Sequence, residues 1–261
     1  FGRPTMASLN LDSLSWSICS FEELREQKHH HVNYLDASAN KYFIFGGFGN
    51  QHYTNEFYSY DLSNYQWSQE EFTGDIILPR FFSGLTALND RELILFGGVG
   101  NPSGDQAVGR IYYSDCYHID INSASISKLW DLTDFNQRMV SGRNMILSPD
   151  STYFYTLYYP EYIPNTFIKL YKFSIEDGSY EILGDSIPMV SERIRTNANI
   201  YLDRKSNEIY CVSQEFKLDG SSTIKIYSIA NTPVSLGQFY NKSRTGISSG
   251  RLILALLAGS I

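Results

Sequence analysis

Two segments of the chain repeat each other 51 residues apart. In the first, Tyr42-Phe43-Ile44-Phe45 runs into Gly46-Gly47, followed by Tyr58-Ser59-Tyr60-Asp61 and Trp67. In the second, Leu93-Ile94-Leu95-Phe96 runs into Gly97-Gly98, followed by Tyr117-His118-Ile119-Asp120 and Trp130. A period near 50 means that each unit is one supersecondary element, which buries its apolar face only by stacking on its neighbours. The apolar run is too short and too rich in β-formers for a helix, so it reads as a buried strand. Gly-Gly ends the strand where the backbone bends and where the next unit approaches closely. The Tyr and Trp fall on later strands, where large rings fill the wedge between adjacent sheets.

Weaker copies follow. Asn144-Met145-Ile146-Leu147, Tyr153-Phe154-Tyr155-Thr156-Leu157 and Leu170-Tyr171-Lys172-Phe173-Ser174-Ile175 form a third unit, with Tyr158-Tyr159 in place of Gly-Gly. Ala198-Asn199-Ile200-Tyr201-Leu202, Ile209-Tyr210-Cys211-Val212 and Ile224-Lys225-Ile226-Tyr227-Ser228-Ile229 form a fourth. Near the N-terminus, Leu9 to Trp16 matches only the second half of a unit, from Tyr58 to Trp67. The 20 Tyr and 16 Phe, in short apolar segments separated by turn residues, agree with an all-β chain. The only helical pattern is a short loop turn at Phe21-Glu22-Glu23-Leu24-Arg25.

These motifs, at this period, resemble the kelch repeat, one blade of a β-propeller. The resemblance implies an all-β, kelch-type propeller with about four complete four-stranded blades plus a partial N-terminal blade, part of a larger ring. Innermost strands are expected near residues 30–36, 81–88, 143–148 and 196–202. The propeller is expected to occupy residues 1–240, and 241–261 to form a tail leading into an apolar segment. A propeller carries its function on its loops, so the fold alone does not give the activity.

The formal charge of −7, with no long basic run, argues against nucleic-acid binding, which uses clustered Lys and Arg. Cys19, Cys116 and Cys211 lie far apart without a CxxC motif and read as lone packed residues rather than a metal or redox site. Neighbours in His29-His30-His31 point to opposite faces of a strand, so the run reads as solvated or packed histidines, not as a metal site.

The arginines ahead of the repeats carry the ligand expectation. Pro79-Arg80-Phe81-Phe82-Ser83-Gly84 resembles the Pro-Arg-x-x-x-Gly that opens many kelch repeats. Arg143 and Arg195 sit at similar places in the next two units, and His30 in the first. The resemblance places these segments ahead of the innermost strands, so Arg80, Arg143, Arg195 and His30 are expected to converge on the central channel and bind an anionic small molecule, a glycan or an acidic peptide. The competing expectation is that each Arg pairs with a nearby carboxylate or stacks on an aromatic ring.

No Gly-x-Ser-x-Gly, P-loop or dinucleotide fingerprint is present, and isolated carboxylates such as Glu161 and Asp185 form no recognisable acid/base pair. No catalytic residue, metal or cofactor is therefore assigned. The chain ends in the apolar run Leu252-Ile253-Leu254-Ala255-Leu256-Leu257-Ala258-Gly259-Ser260-Ile261. It reads either as the start of a transmembrane helix, the favoured choice, or as a ring-closing strand, since Gly250-Arg251-Leu252-Ile253-Leu254 is similar to Arg91-Glu92-Leu93-Ile94-Leu95. An aromatic propeller, then Ile226-Tyr227-Ser228-Ile229-Ala230-Asn231-Thr232-Pro233-Val234, then an apolar run resembles membrane-bound regulators of Bacteroides-type bacteria. That resemblance implies a non-catalytic, extracytoplasmic (periplasmic) sensor propeller, anchored in the inner membrane. The alternative is a kelch-fold enzyme acting on a sugar, of the oxidase or sialic-acid epimerase type. The enzyme requires titratable groups converging at the channel mouth; the binding module requires an aromatic, Arg-lined surface without them.

Overall fold

The structure is a computed structural model, and it describes residues 6–20, 24, 27–135, 137–193, 196–235, 237–238 and 240–241. Among these residues it is built from mainly antiparallel sheets arranged as four blades in chain order, with one short parallel pair, Thr73–Gly74 against Ser125 and Ile126. Blade one contains Val32–Asp36, Lys41–Phe45, Phe57–Asp61 and Gln66–Glu70, paired in that order from the inside out. In blade two the inner strand is broken into Arg80–Phe81 and Gly84–Ala87, and is followed by Glu92–Gly100, Ile111–Asp120 and Ser125–Asp131. The break falls at Phe82, whose φ is 55°. Blade three repeats the split, with Val140–Ser141 and Ile146–Leu147 inside, then Tyr153–Tyr159, Asn165–Ser174 and Tyr180–Val190. All four innermost strands fall where the repeat places them.

Blade four differs from the expected four strands. The described residues provide three, Thr196–Asp203, Glu208–Phe216 and Ser222–Ala230. After Ala230 the chain returns to the outer strand of blade three, where the Gly184 amide donates to the Val234 carbonyl at 2.7 Å. The N-terminal half-unit is a two-stranded hairpin, Met6–Asn10 with Ser15–Ser20. The tail from residue 242, with its apolar run, and most of the short helical turn expected at 21–25 lie outside the described residues.

The blades are joined along their inner strands by backbone hydrogen bonds. The Phe82 amide donates to the His30 carbonyl at 3.2 Å, and the Leu85 amide to the Arg143 carbonyl at 2.9 Å. The Gly-Gly turn is part of the same seam. Gly46 has φ +68°, and a Cβ there would lie 2.6 Å from the Arg80 carbonyl oxygen of the next blade. The adjacent Gly47 amide donates to that oxygen at 2.8 Å. Left-handed backbone and contact with a neighbouring blade thus coincide at one residue. Gly46→Ala should cost about 1–3 kcal/mol, from strain at this φ and displacement of the seam. A urea midpoint shift equivalent to less than about 0.5 kcal/mol would contradict this role. Blade three dispenses with the turn. Its second strand continues through Tyr158 and Tyr159, both buried, and the Ala198 amide of blade four donates to the Tyr159 hydroxyl at 3.3 Å.

Apolar packing fills each seam. Val32, Phe45, Leu93, Leu95 and Ile119 lie between blades one and two, and Phe96, Phe154, Tyr158 and Phe173 between two and three. Leu157, Leu170, Ile200, Ile209 and Cys211 continue the core between three and four. Trp130 shows the expected wedge. Its ring stacks near Phe154 and Phe173, and its Nε1–H donates to the Ile175 carbonyl at 2.8 Å. Trp67 also lies on an outer strand, half-buried, and its ring meets Tyr60 of its own blade at 5.1 Å. Trp16, the third counterpart, is 70% exposed on the N-terminal hairpin. The wedge role is thus clear for Trp130, between blades two and three.

Candidate functional site

The segments ahead of the inner strands bring His30 and His31 of blade one near Arg143 of blade three. His30 enters from the segment ahead of Val32–Asp36, with φ 55°, a left-handed conformation that turns its ring onto Phe82. The ring centroids are 4.1 Å apart, and Phe48 stacks on the same imidazole at 5.7 Å. His31 donates from Nδ1 to the Lys28 carbonyl at 2.5 Å, which fixes its tautomer and ring orientation. Arg143 enters from blade three, at the bend between Val140–Ser141 and Ile146–Leu147. That bend places Arg143 close enough for its charge to act on His30, His31, Tyr42 and Tyr159.

The electrostatics follow from burial beside a cation. Burial chiefly, then the Arg143 charge, pushes His30 down to about 4. His31 is lowered by burial first, partly opposed by its hydrogen bond to Lys28. Both imidazoles are therefore neutral at pH 7, and Arg143 is a cation beside them, as is Lys28, which pairs with Glu56. The half-buried Arg143 side chain forms no ion pair or hydrogen bond among the described residues. A guanidinium in such surroundings retains its planar set of donors for an incoming anion.

The histidine burial has a pH consequence. His30 titrates near 6.5 when unfolded and at about 4 when folded. Between these values the unfolded chain takes up a proton that the folded chain does not. Stability should therefore fall as pH drops from about 6.5 towards 4, and this contribution should be fully present above 6.5. His30→Asn, which tolerates the left-handed backbone, should flatten the change between pH 7 and pH 5 in urea unfolding. An unchanged slope would show that His30 is solvated.

Arg80 does not belong to the site, and the expectation that it binds ligand is corrected. Its side chain is fully buried and directed into blade two. Nη1 and Nη2 donate to Asp115 Oδ1 and Oδ2 at 2.5 and 3.0 Å, and Nη1 and Nε also reach the Gly97 and Leu78 carbonyls. The guanidinium lies over the Tyr113 ring at 4.1 Å. Pairing and stacking have used its donors, as the competing expectation required. Arg195 lies outside the described residues. Of the four proposed residues, the structure brings His30 and Arg143 together.

Sequence reasoning missed the rest of the lining. Tyr159 was visible only as the departure from Gly-Gly, and Tyr42 and Phe48 as ordinary members of an apolar run and its turn. Glu161 lies beside the neighbouring loop rather than alone. It accepts from Arg110 Nη1 at 3.1 Å and from the Tyr112 hydroxyl at 2.7 Å, and Arg110 lies over the Phe81 ring at 5.7 Å. Among the described residues, no group of three or more His, Cys, Asp and Glu gathers as a metal site. Cys116 and Cys211 are buried and Cys19 is half-buried, all as free thiols.

The profile of the KLHDC2/KLHL20/DRC7 Kelch-repeats domain matches residues 3–205, most of the chain. Comparison with curated proteins gives no match. The matched region runs from the N-terminal hairpin through blade three into blade four, the stretch over which the repeated strands, the Gly-Gly seam and the outer-strand Trp residues occur. The chain belongs to the kelch-repeat family, of the KLHDC2/KLHL20/DRC7 type.

Proposed function

We propose that this propeller is a non-catalytic binding module whose channel mouth takes an anionic group, from an acidic peptide or protein or from an anionic small molecule or glycan. Kelch propellers generally bind proteins or ligands, which supports the class. The observation that carries the reading is Arg143, half-buried beside two neutral histidines and free of a carboxylate among the described residues. Aromatic rings at Phe48, Phe81 and Phe82 provide an apolar border to that charge. A low-dielectric border strengthens recognition of an anion and penalises a cation.

The test uses a fluorescent Glu-rich peptide as probe. Arg143→Ala should weaken its binding by about tenfold or more, since a charge-assisted hydrogen bond contributes roughly 1.5–3 kcal/mol. Stability should change by less than about 0.5 kcal/mol, because no native partner is lost. Added salt should weaken the wild-type complex. Equal affinity of wild type and Arg143→Ala would reject the channel as the binding site.

In its finer form the proposal makes this propeller the extracytoplasmic sensor of a membrane-bound regulator. The net charge of −7 and the apolar run at 252–261 support that placement. Among the described residues no helix is long and apolar enough to cross a membrane, and the apolar run lies outside them. Fractionation of cells producing the full-length protein should find it with the membranes. Recovery in the soluble fraction would reject the anchor and leave the channel proposal standing.

A further inference from the structure

A second site lies at the other end of the blades. There a cleft of about 160 Å³ opens between blades one and two, lined by Asp36, Lys41, Phe43, Glu70, Phe72 and Arg91, with Ile121 beside them. Asp36 and Lys41 flank the turn that leaves the inner strand of blade one, at the end remote from His30. The cleft is thus separate from the channel mouth.

Four of the lining side chains are charged, two of each sign, and they meet as two loose pairs. Asp36 Oδ2 and Arg91 Nε are 3.3 Å apart, as are Glu70 Oε1 and Lys41 Nζ. Neither pair exhausts its members. Asp36 Oδ1 accepts from the Ser38 hydroxyl and the Ala39 amide. Asp36 Oδ2, on a side chain that is 0% exposed, meets the Arg91 guanidinium as an ion pair without a hydrogen bond among the described residues. Glu70 Oε1 accepts from the Ser59 hydroxyl and Lys41, which leaves Oε2 without a hydrogen bond among the described residues. Arg91 reaches Asp36 through Nε and Ser38 through Nη2, and Nη1 is unused among the described residues. The cleft therefore holds spare acceptors and spare donors within one small volume, above the apolar surface of Phe43, Phe72 and Ile121.

We propose that this cleft binds a small zwitterion of the α-amino-acid class. The ligand carboxylate meets Arg91 and Lys41, its ammonium meets Glu70 with the buried Asp36 charge behind it, and its side chain rests on Phe43 and Phe72. A lone anion or cation leaves one sign of the lining unmatched, whereas a net-neutral zwitterion matches both. A cavity of roughly 150 Å³ holds a molecule the size of an aromatic ring, so the cleft has room for the charged end of one amino acid, with the rest of its side chain at the open mouth, and not for a peptide.

The experiment is calorimetric titration of the intact chain with L-phenylalanine, L-leucine and L-glutamine. Phenethylamine, which lacks the carboxylate, and 3-phenylpropionate, which lacks the ammonium, serve as controls. At least one amino acid should bind saturably with Kd at or below about 1 mM. For phenylalanine, both one-charge controls should bind at least about tenfold more weakly. Arg91→Gln should weaken the amino acid by about tenfold or more. Glu70→Gln, which leaves the turn at Asp36 intact, should do the same and replaces Arg91→Gln if that variant fails to fold. Arg143→Ala should leave amino-acid binding unchanged, which separates this site from the channel. Absence of saturable binding by all three amino acids, equal binding of the controls, or full affinity in Glu70→Gln would each overturn the proposal.

Discussion

Replacing Asp115 with Ala should destabilise the protein by about 3–5 kcal/mol, the effect of removing one partner from a buried ion pair. Asp115 is 3% exposed and Arg80 0%, so neither charge has water in reserve. The pair is bidentate, and Asp115 Oδ2 also accepts from the Tyr117 hydroxyl at 2.9 Å. Without Asp115 the guanidinium stays buried, held by the Gly97 and Leu78 carbonyls and the Tyr113 ring, with no counter-charge. Arg80 is also part of the seam to blade one, since its amide donates to the Thr54 carbonyl at 3.0 Å. The loss should therefore spread beyond blade two. Arg80→Met with Asp115→Leu should recover much of the stability, because a well-packed apolar pair avoids the desolvation cost. Urea unfolding of the single and double variants checks both statements. A loss below about 1 kcal/mol for Asp115→Ala would mean that Arg80 finds solvent in the folded state.

This pair also shows where the sequence stops being informative. The inner strands, the Gly-Gly seam and the N-terminal half-unit were legible because they rest on local patterns. A four-residue apolar run, a residue without Cβ where φ is positive and a Trp at a fixed offset each state their own requirement. Which arginine a carboxylate neutralises was not legible. Arg80 and Arg143 occupy similar places in their units, and their fates are decided by what a distant strand presents. Blade two places Asp115, 35 residues further on, beside Arg80. Arg143 instead lies near His30 and His31 of blade one. A carboxylate partner on another strand leaves no mark near the arginine it neutralises. The same holds for the cleft between blades one and two. Asp36, Glu70 and Arg91 are ordinary turn and strand-end residues until the two blades meet. Nor does anything local in the sequence say that the chain just after Ala230 returns to Gly184.

Phe96→Ala should produce the other large loss, about 3–5 kcal/mol. Phe96 is 0% exposed on the second strand of blade two, and its ring faces Phe154, Tyr158 and Phe173 of blade three at 4.7–6.0 Å. Trp130 closes the cluster from the outer strand at 5.8 Å. Truncation opens a cavity inside a seam formed by two sheets. The sheets are tied together at their inner edges, so they have little freedom to collapse into it. Phe96→Leu should cost roughly 1–2 kcal/mol, because it keeps most of the buried volume. Trp130→Phe keeps an aromatic ring but loses the hydrogen bond to Ile175, and should cost about 1 kcal/mol. The two positions share a cavity, so the Phe96→Ala and Trp130→Ala effects should not add, with a coupling of about 0.5–3 kcal/mol in a double-mutant cycle. Trp67→Ala, half-buried against Tyr60, should cost less than Trp130→Ala. Measured by urea unfolding with the slope unchanged, a Phe96→Ala loss below about 1 kcal/mol would mean that blades two and three do not share a packed seam, and the blade order itself would then be wrong.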